Sequence, residues 1–315
     1  MKSSLTFLLI SSLLCECFIA YPQSSFNRFL TPSDSLDKTR VCIVGTSWAV
    51  LYTGTMIGLS QVWYKDYPKT TFHFFNDNDE WLQMDKVGHT YTAYFESVWT
   101  TTALKWSGVN SKKSAWIGSA TGFVFQCSIE LLDGFSSGWG ASTGDIAANF
   151  LGSSLSLSQY LLWNEQRIQM KFSAHPGNYP EGIQYRTNDL YGASVLERTV
   201  KDYNGQTDWL SVNPSSFLSN QKSKFPKWLN VAVGYGVDGL LGAESNSWEV
   251  HGETVASDIS RVRQFYLSPD VDLTRIKTHS AFLKTFFAVA NIIKIPAPTF
   301  EIDSKGDFKF YPLYF

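Results

Sequence analysis

The chain has 315 residues, 17% of them charged, a formal charge of −2, and 23 Phe, 15 Tyr and 11 Trp. Such a composition buries enough apolar surface to offset ordering entropy, which excludes disorder, and the lack of a basic excess argues against a nucleic-acid partner. A mean hydropathy of −0.12 is too low for a wholly membrane-embedded transporter, and the aromatic-rich, charge-poor profile points to the cell envelope.

Residues 1–20 have the layout of a secretory signal, with Lys2, an apolar run from Leu5 to Leu14, and Ala20 at the end. Cys15 and Cys17 follow Leu14 and Glu16, neither of which is small, so an ordinary signal is expected rather than a lipoprotein one. Removal of this segment leaves Cys42 and Cys127, which are expected as two buried thiols or one disulfide. Residues 21–40 read as a linker.

Four apolar helices are predicted in a domain over 41–170. No charge occurs between Arg40 and Lys65, and Val41–Tyr64 is long enough for a membrane span. Gly54 and Gly58 would permit close helix contact there. The second helix runs from about Val87 to Leu104. The third, Ser114–Ile129, carries Gly118 and Gly122, and the fourth runs from Ile146 to Trp163. Short connections make them antiparallel neighbours in a bundle. A cleaved signal puts Lys38 and Arg40 outside the cytoplasm, whereas the positive-inside rule puts them within it. A periplasmic bundle resting on a membrane removes that conflict.

The polar residues of these helices form a pattern. Asp85-Lys86-x-x-His89 opens the second helix and Glu130-x-x-Asp133 closes the third. Asp145-x-x-x-Asn149-x-x-Gly152 opens the fourth, with Ser142 as its cap. In an up-down bundle these three helix ends meet. The converging group suits a divalent metal ion or a phosphate-bearing head group, with Asp85, His89, Glu130 and Asp133 as candidate metal ligands. The same positions have a structural reading. Asp85 and Asp145 complement helix dipoles, Glu130 and Asn149 can be interhelical hydrogen-bond donors or acceptors, and Lys86 can pair one carboxylate.

Asp85, Lys86, His89, Glu130, Asp133, Ser137, Gly138, Trp139, Asp145, Asn149 and Gly152 carry a resemblance. The segment from about Asp85 to Tyr160 resembles the YfiM-like family of predicted periplasmic lipoproteins, a domain of unknown function. Its skeleton is also similar to that of VanZ-like membrane proteins. The resemblance implies a helical envelope module and marks the same polar group, but it carries over no activity. The chain departs from it in lacking a convincing lipobox, which sets it apart from a lipid-anchored member, and in its long C-terminal extension.

Residues 171–227 read as an irregular linker. It holds a turn cluster from His175 to Pro180, a short helix near Ser194–Tyr203, and a hairpin turn at Asn204-Gly205. His175 is expected as a loop residue. The pattern then alternates over 228–315. Leu229, Val231, Val233, Tyr235 and Val237 oppose Asn230, Ala232, Gly234 and Gly236, and a second strand covers 264–273. A terminal hairpin turns at Ser304-Lys305-Gly306 and pairs Phe300 and Ile302 with Phe308 and Phe310. Phe282, Leu283, Phe286, Phe287, Ala290 and Ile293 fit an amphipathic helix ended by Pro296 and Pro298. Alternation of this kind belongs to an outer-membrane strand or to a soluble half-buried sheet.

The predicted fold class is α+β: an N-terminal four-helix apolar bundle, then a C-terminal antiparallel β region forming a partial or small barrel or a peripheral sheet. With no nucleophile motif, P-loop or serine elbow, the expected function is a non-enzymatic component of the cell envelope. It would sit on the periplasmic face of the outer membrane or embedded in it, and bind lipid or an outer-membrane protein. The alternative is a metal-dependent hydrolase or transferase acting on a lipid head group through Asp85, His89, Glu130, Asp133 and Asp145.

Overall fold

The structure, a computed structural model, describes residues 23–62, 64, 67–177, 179–218 and 225–315. The expected signal segment, with Cys15 and Cys17, lies outside the described residues. The molecule is α+β, with helices first and an antiparallel sheet after them.

Helix α1 (Gln23–Leu30) occupies part of the stretch expected as linker. Then come α2 (Lys38–Val62), α3 (Met84–Trp106), α4 (Ser111–Asp133) and α5 (Thr143–Trp163), close to the four apolar stretches of the sequence. The starts of α4 and α5 are set by side chains. Asn110 accepts from the Lys112 and Lys113 amides, and Ser142 accepts from the Asp145 amide at 3.1 Å.

Helix α4 meets α3 backbone to backbone because it has glycine where they touch. A Cβ on Gly118 would lie 2.7 Å from the Ser97 carbonyl oxygen, and one on Gly122 would lie 2.6 Å from that of Ala93. Helix α2 stands apart from this trio. Trp48 and Tyr52 set their edges against Phe125 of α4, but most of the helix is exposed. Nothing lies within 4 Å of a Cβ built on Gly54 or Gly58. Arg40 reaches the Trp106 carbonyl at 3.1 Å, so α2 begins beside the α3–α4 connection.

Strands β1 (Ile168–Ala174) and β2 (Gln206–Val212) are followed by β3 (Leu229–Asp238). A two-stranded hairpin, β4 (Ser247–Val250) and β5 (Glu253–Ala256), turns through His251 and Gly252, both with positive φ. The sheet resumes with β6 (Val262–Val271), β7 (Ala297–Asp303) and β8 (Phe308–Tyr314). All six strands of the main sheet are antiparallel, in the order β1-β2-β3-β6-β7-β8. The terminal hairpin pairs Phe300 with Phe310 and Ile302 with Phe308, in the expected register.

The sheet is not closed into a barrel. β1 and β8 are not paired with each other. The free side of β1 takes one short parallel bridge, with the Phe172 amide donating to the Ile292 carbonyl and the Lys294 amide to that of Phe172.

Two expectations are corrected by these strands. β1 and β2 cross the segment read as irregular, along with α6 (Gln184–Tyr191), whereas α7 (Val195–Lys201) is the short helix expected near Ser194–Tyr203. Asn204-Gly205 is not a hairpin turn but part of a 3-10 turn entering β2. The polar run Gln206-Thr207-Asp208 hides this strand, because its partners are the buried polar residues of an interior. Cys42 and Cys127 are free, and Cys42 is exposed rather than buried.

Over much of the sheet and the helices, apolar side chains face outward and polar ones inward. In the sheet, Val231, Val233, Phe265, Leu267, Phe300, Ile302, Phe308 and Phe310 are exposed. Asn230, Gln264, Ser268, Asp270, Thr299 and Glu301 are buried. Lys171 and Asp270 form an ion pair at 2.8 Å with both side chains fully buried. The helices repeat the pattern. Ser97, Thr101, Ser114, Gln126, Asn149 and Ser156 are inside, while Trp116, Val124, Leu131, Phe150, Leu151 and Leu162 are outside. Helix α8 (Ala281–Ala290), capped by Ser280, likewise exposes Phe282, Phe286 and Val289.

Candidate functional site

The helix bundle and the sheet join at the start of α3. Met84 is fully buried against Val237 and Leu240, and Tyr94 and Phe95 pack with Met170. Just before α3, Trp81, Leu82 and Gln83 have φ of 49°, 50° and 64°. Three consecutive non-glycine residues in the left-handed region cost roughly 1–2 kcal/mol each. The sheet side holds them there. The Trp81 amide donates to the Ala243 carbonyl at 2.7 Å, Arg263 donates to Gln83 Oε1 at 2.7 Å, and the Tyr235 hydroxyl donates to the Leu82 carbonyl. This turn directs Asp85, Lys86 and His89 into the bundle.

Lys86 Nζ lies 2.7 Å from Asp77 Oδ1, 2.9 Å from Asp145 Oδ1 and 3.4 Å from Asp85 Oδ2. It therefore joins three carboxylates rather than the one expected. His89 Nδ1 is 3.1 Å from Asn149 Oδ1, while Nε2 faces Glu130 Oε1 at 3.6 Å and Asp85 Oδ1 at 3.9 Å. The other Glu130 oxygen accepts from the Ser142 amide at 2.9 Å. The Ser142 hydroxyl donates to Asp77 Oδ1 at 2.5 Å. Asp133 is turned to another partner, accepting from the Tyr64 hydroxyl at 2.5 Å.

Six of the seven residues singled out by spacing thus share one polar network, and Asp133 is held beside it by Tyr64. Two members had no signal of their own. Asp77 lies in the loop before α3, outside the motifs of the sequence. Tyr203 donates to Asp85 Oδ1 at 2.9 Å from the far half of the chain. The sequence marked it only as the end of the short helix expected near Ser194–Tyr203, beside the Asn204-Gly205 turn.

Carboxylates outnumber cations here, and the acids respond. Burial pushes the Glu130 carboxyl up to about 8, against the opposing pull of His89. Burial and the Asp85 charge raise Asp145 to about 7. Burial raises Asp133 to about 6, despite the Tyr64 bond. Burial works against the His89 imidazolium, but the charges of Asp85, Asp145 and Glu130 outweigh it and raise its pKa. Burial also opposes the Lys86 ammonium, yet Asp85 and the bonds to Asp77 and Asp145 hold its pKa above the ordinary value. The arrangement can exchange protons near neutrality or accept a cation. Asp85, His89 and Asp145 offer ligand atoms within 4.8 Å of one another.

Residues 73–161 match the model of a family described as Predicted periplasmic lipoprotein (DUF2279). The matched segment is less than a third of the chain. It contains the members of the polar network from Asp77 to Asn149, and it leaves out Tyr203 and the sheet. The DUF2279 description fits a cell-envelope component. No curated protein and no solved structure matches the chain.

Proposed function

We propose that the chain is a lipid-seated component of the cell envelope, on the periplasmic face of the outer membrane or embedded in it, with lipid or an outer-membrane protein against its apolar exterior. The kinship with YfiM-like and VanZ-like proteins read from the motifs belongs to this proposal. One observation carries it: large apolar side chains cover the outside of α2, α4, α5, α8 and the sheet, while many polar side chains are buried inside beside a few apolar clusters. Water does not select that arrangement, and hydrocarbon does. Within α2, Lys38–Gln61 is long and apolar enough to cross a membrane, and only 6% of its apolar window is buried. Lys38, Lys112 and Lys113 lie at the end away from the acidic network, suited to anionic head groups. A washed envelope fraction tests the reading. Extraction with alkaline carbonate should leave the chain in the membrane pellet, and density separation should place it with outer membrane. Intact protein in the soluble fraction would defeat the proposal.

A second reading, a metal-dependent hydrolase or transferase acting on a lipid head group, is favoured by Glu130 Oε1. This buried oxygen faces the His89 imidazole and has no hydrogen-bond partner. Turnover of labelled head-group substrates by the wild type, lost in His89→Ala, is the result it requires.

A further inference from the structure

We infer that Asp85, His89 and Asp145 bind one divalent cation, with Glu130 closing the site. His89 Nε2 is 3.6 Å from Glu130 Oε1 and 3.9 Å from Asp85 Oδ1. Both separations are too long for hydrogen bonds. They are close instead to the spacing of two ligands on a shared ion, since tetrahedral bonds of about 2.1 Å put ligand atoms about 3.4 Å apart. The imidazole is turned for this role. Nδ1 donates to Asn149 Oδ1, so Nε2 is the nitrogen that faces the carboxylates, and a cation there would take the place of its proton.

Glu130 supplies an independent sign. Its side chain is 3% exposed and Oε1 has no hydrogen-bond partner. A desolvated acceptor of this kind costs free energy unless something positive meets it. Lys86 does not meet it. Lys86 bonds Asp77, Asp145 and Asp85 Oδ2; on the imidazole side are Glu130 Oε1 and Asp85 Oδ1, the latter also accepting from the Tyr203 hydroxyl. One imidazole among carboxylate oxygens suits Zn²⁺ or Mn²⁺ rather than the all-oxygen preference of Ca²⁺ and Mg²⁺. Asp133 is outside the set: the ligand atoms that gather within 4.8 Å of one another are those of Asp85, His89 and Asp145, and Asp133 Oδ1 is turned to the Tyr64 hydroxyl. The inference underlies the hydrolase reading without requiring it, and it is independent of membrane seating.

The full chain, purified in detergent and stripped with chelator, is titrated with Zn²⁺ and with Mn²⁺. Bound metal is counted after desalting, and X-ray absorption reads the shell of the zinc-loaded wild type. The expected result is one ion per chain at micromolar free metal, in a nitrogen and oxygen shell containing one imidazole. Binding is lost in His89→Ala, weakened about tenfold or more in Asp145→Asn, and retained in Asp133→Asn. Substoichiometric binding by the wild type, a shell with sulfur or without imidazole, or undiminished binding in folded His89→Ala would overturn the inference. The wild-type measurements decide even if a variant does not fold. Carbonate extraction has no bearing on this outcome, so failure of the cation site and failure of the membrane reading are distinguishable.

Discussion

The Tyr203 hydroxyl donates to Asp85 Oδ1 at 2.9 Å across 118 positions of sequence. The first polar residue of α3 is thereby tied to the turn that enters β2. Tyr203 also sets its ring edge against Trp81, with centroids 5.5 Å apart, so one side chain supports both the left-handed turn and the acidic network. Tyr203→Phe keeps the ring contact and removes the donor. A hydrogen bond to a charged group contributes about 1.5–3 kcal/mol, and because this one is only partly buried, equilibrium denaturation of the variant should show a loss near the lower end of that range.

The glycines of the helix bundle divide into two kinds. Gly118→Ala and Gly122→Ala place a Cβ against the α3 backbone at 2.7 and 2.6 Å, and each should destabilise by about 1–3 kcal/mol. Gly54→Ala and Gly58→Ala meet nothing within 4 Å and should stabilise by up to about 1 kcal/mol through helix propensity. Thermal melts of the four variants check the contrast. Equal losses at all four positions would show that α2 packs more tightly than this geometry allows.

Asp208 sets a pH dependence. Burial raises its carboxyl from 3.8 to about 8, and its Oδ1 has no hydrogen-bond partner. Between these values the folded chain keeps a proton that the unfolded chain releases. This group's contribution to stability is therefore highest below about pH 4 and declines as pH rises towards 8, beyond which it is flat. Asp208→Asn removes the titration. Denaturation midpoints at pH 5 and pH 8 should converge in the variant relative to wild type, with the larger gain at pH 8.

The sheet interior depends on a buried charge pair. Lys171 Nζ is 2.8 Å from Asp270 Oδ2, and the same carboxylate oxygen accepts from Ser211 Oγ at 2.6 Å. Lys171→Met strands the carboxylate and should cost about 3–5 kcal/mol. The double variant Lys171→Met/Asp270→Leu removes both charges and should recover most of that loss. A double-mutant cycle in chemical denaturation measures the recovery.

Leu51 and Ile57 of α2 are each 58% exposed. If they face lipid, Leu51→Lys together with Ile57→Lys should release the chain into the carbonate-soluble fraction while circular dichroism of the remainder is unchanged. Unaltered pelleting of the double variant would assign membrane retention to the sheet and α8 instead.

Much of the fold was legible along the chain. The uncharged run after Arg40 marked α2, and the Ser142–Asp145 spacing marked the start of α5. The alternation around Val231 and Phe300 marked two strands, and the Asp85, His89, Glu130, Asp145 and Asn149 spacings marked the polar network. These signals are local, because helix and strand periods are properties of neighbouring residues. β1 and β2 escaped notice because their buried residues include Lys171, Ser173, Thr207 and Asp208, which read as loop when apolar burial is assumed. The tertiary structure alone decided which face of each strand points inward, since a period of two reveals two faces and not the solvent each one meets. It alone also brought Asp77 and Tyr203 to Asp85, and turned Asp133 to Tyr64. Those contacts join residues far apart in sequence, and no spacing encodes them.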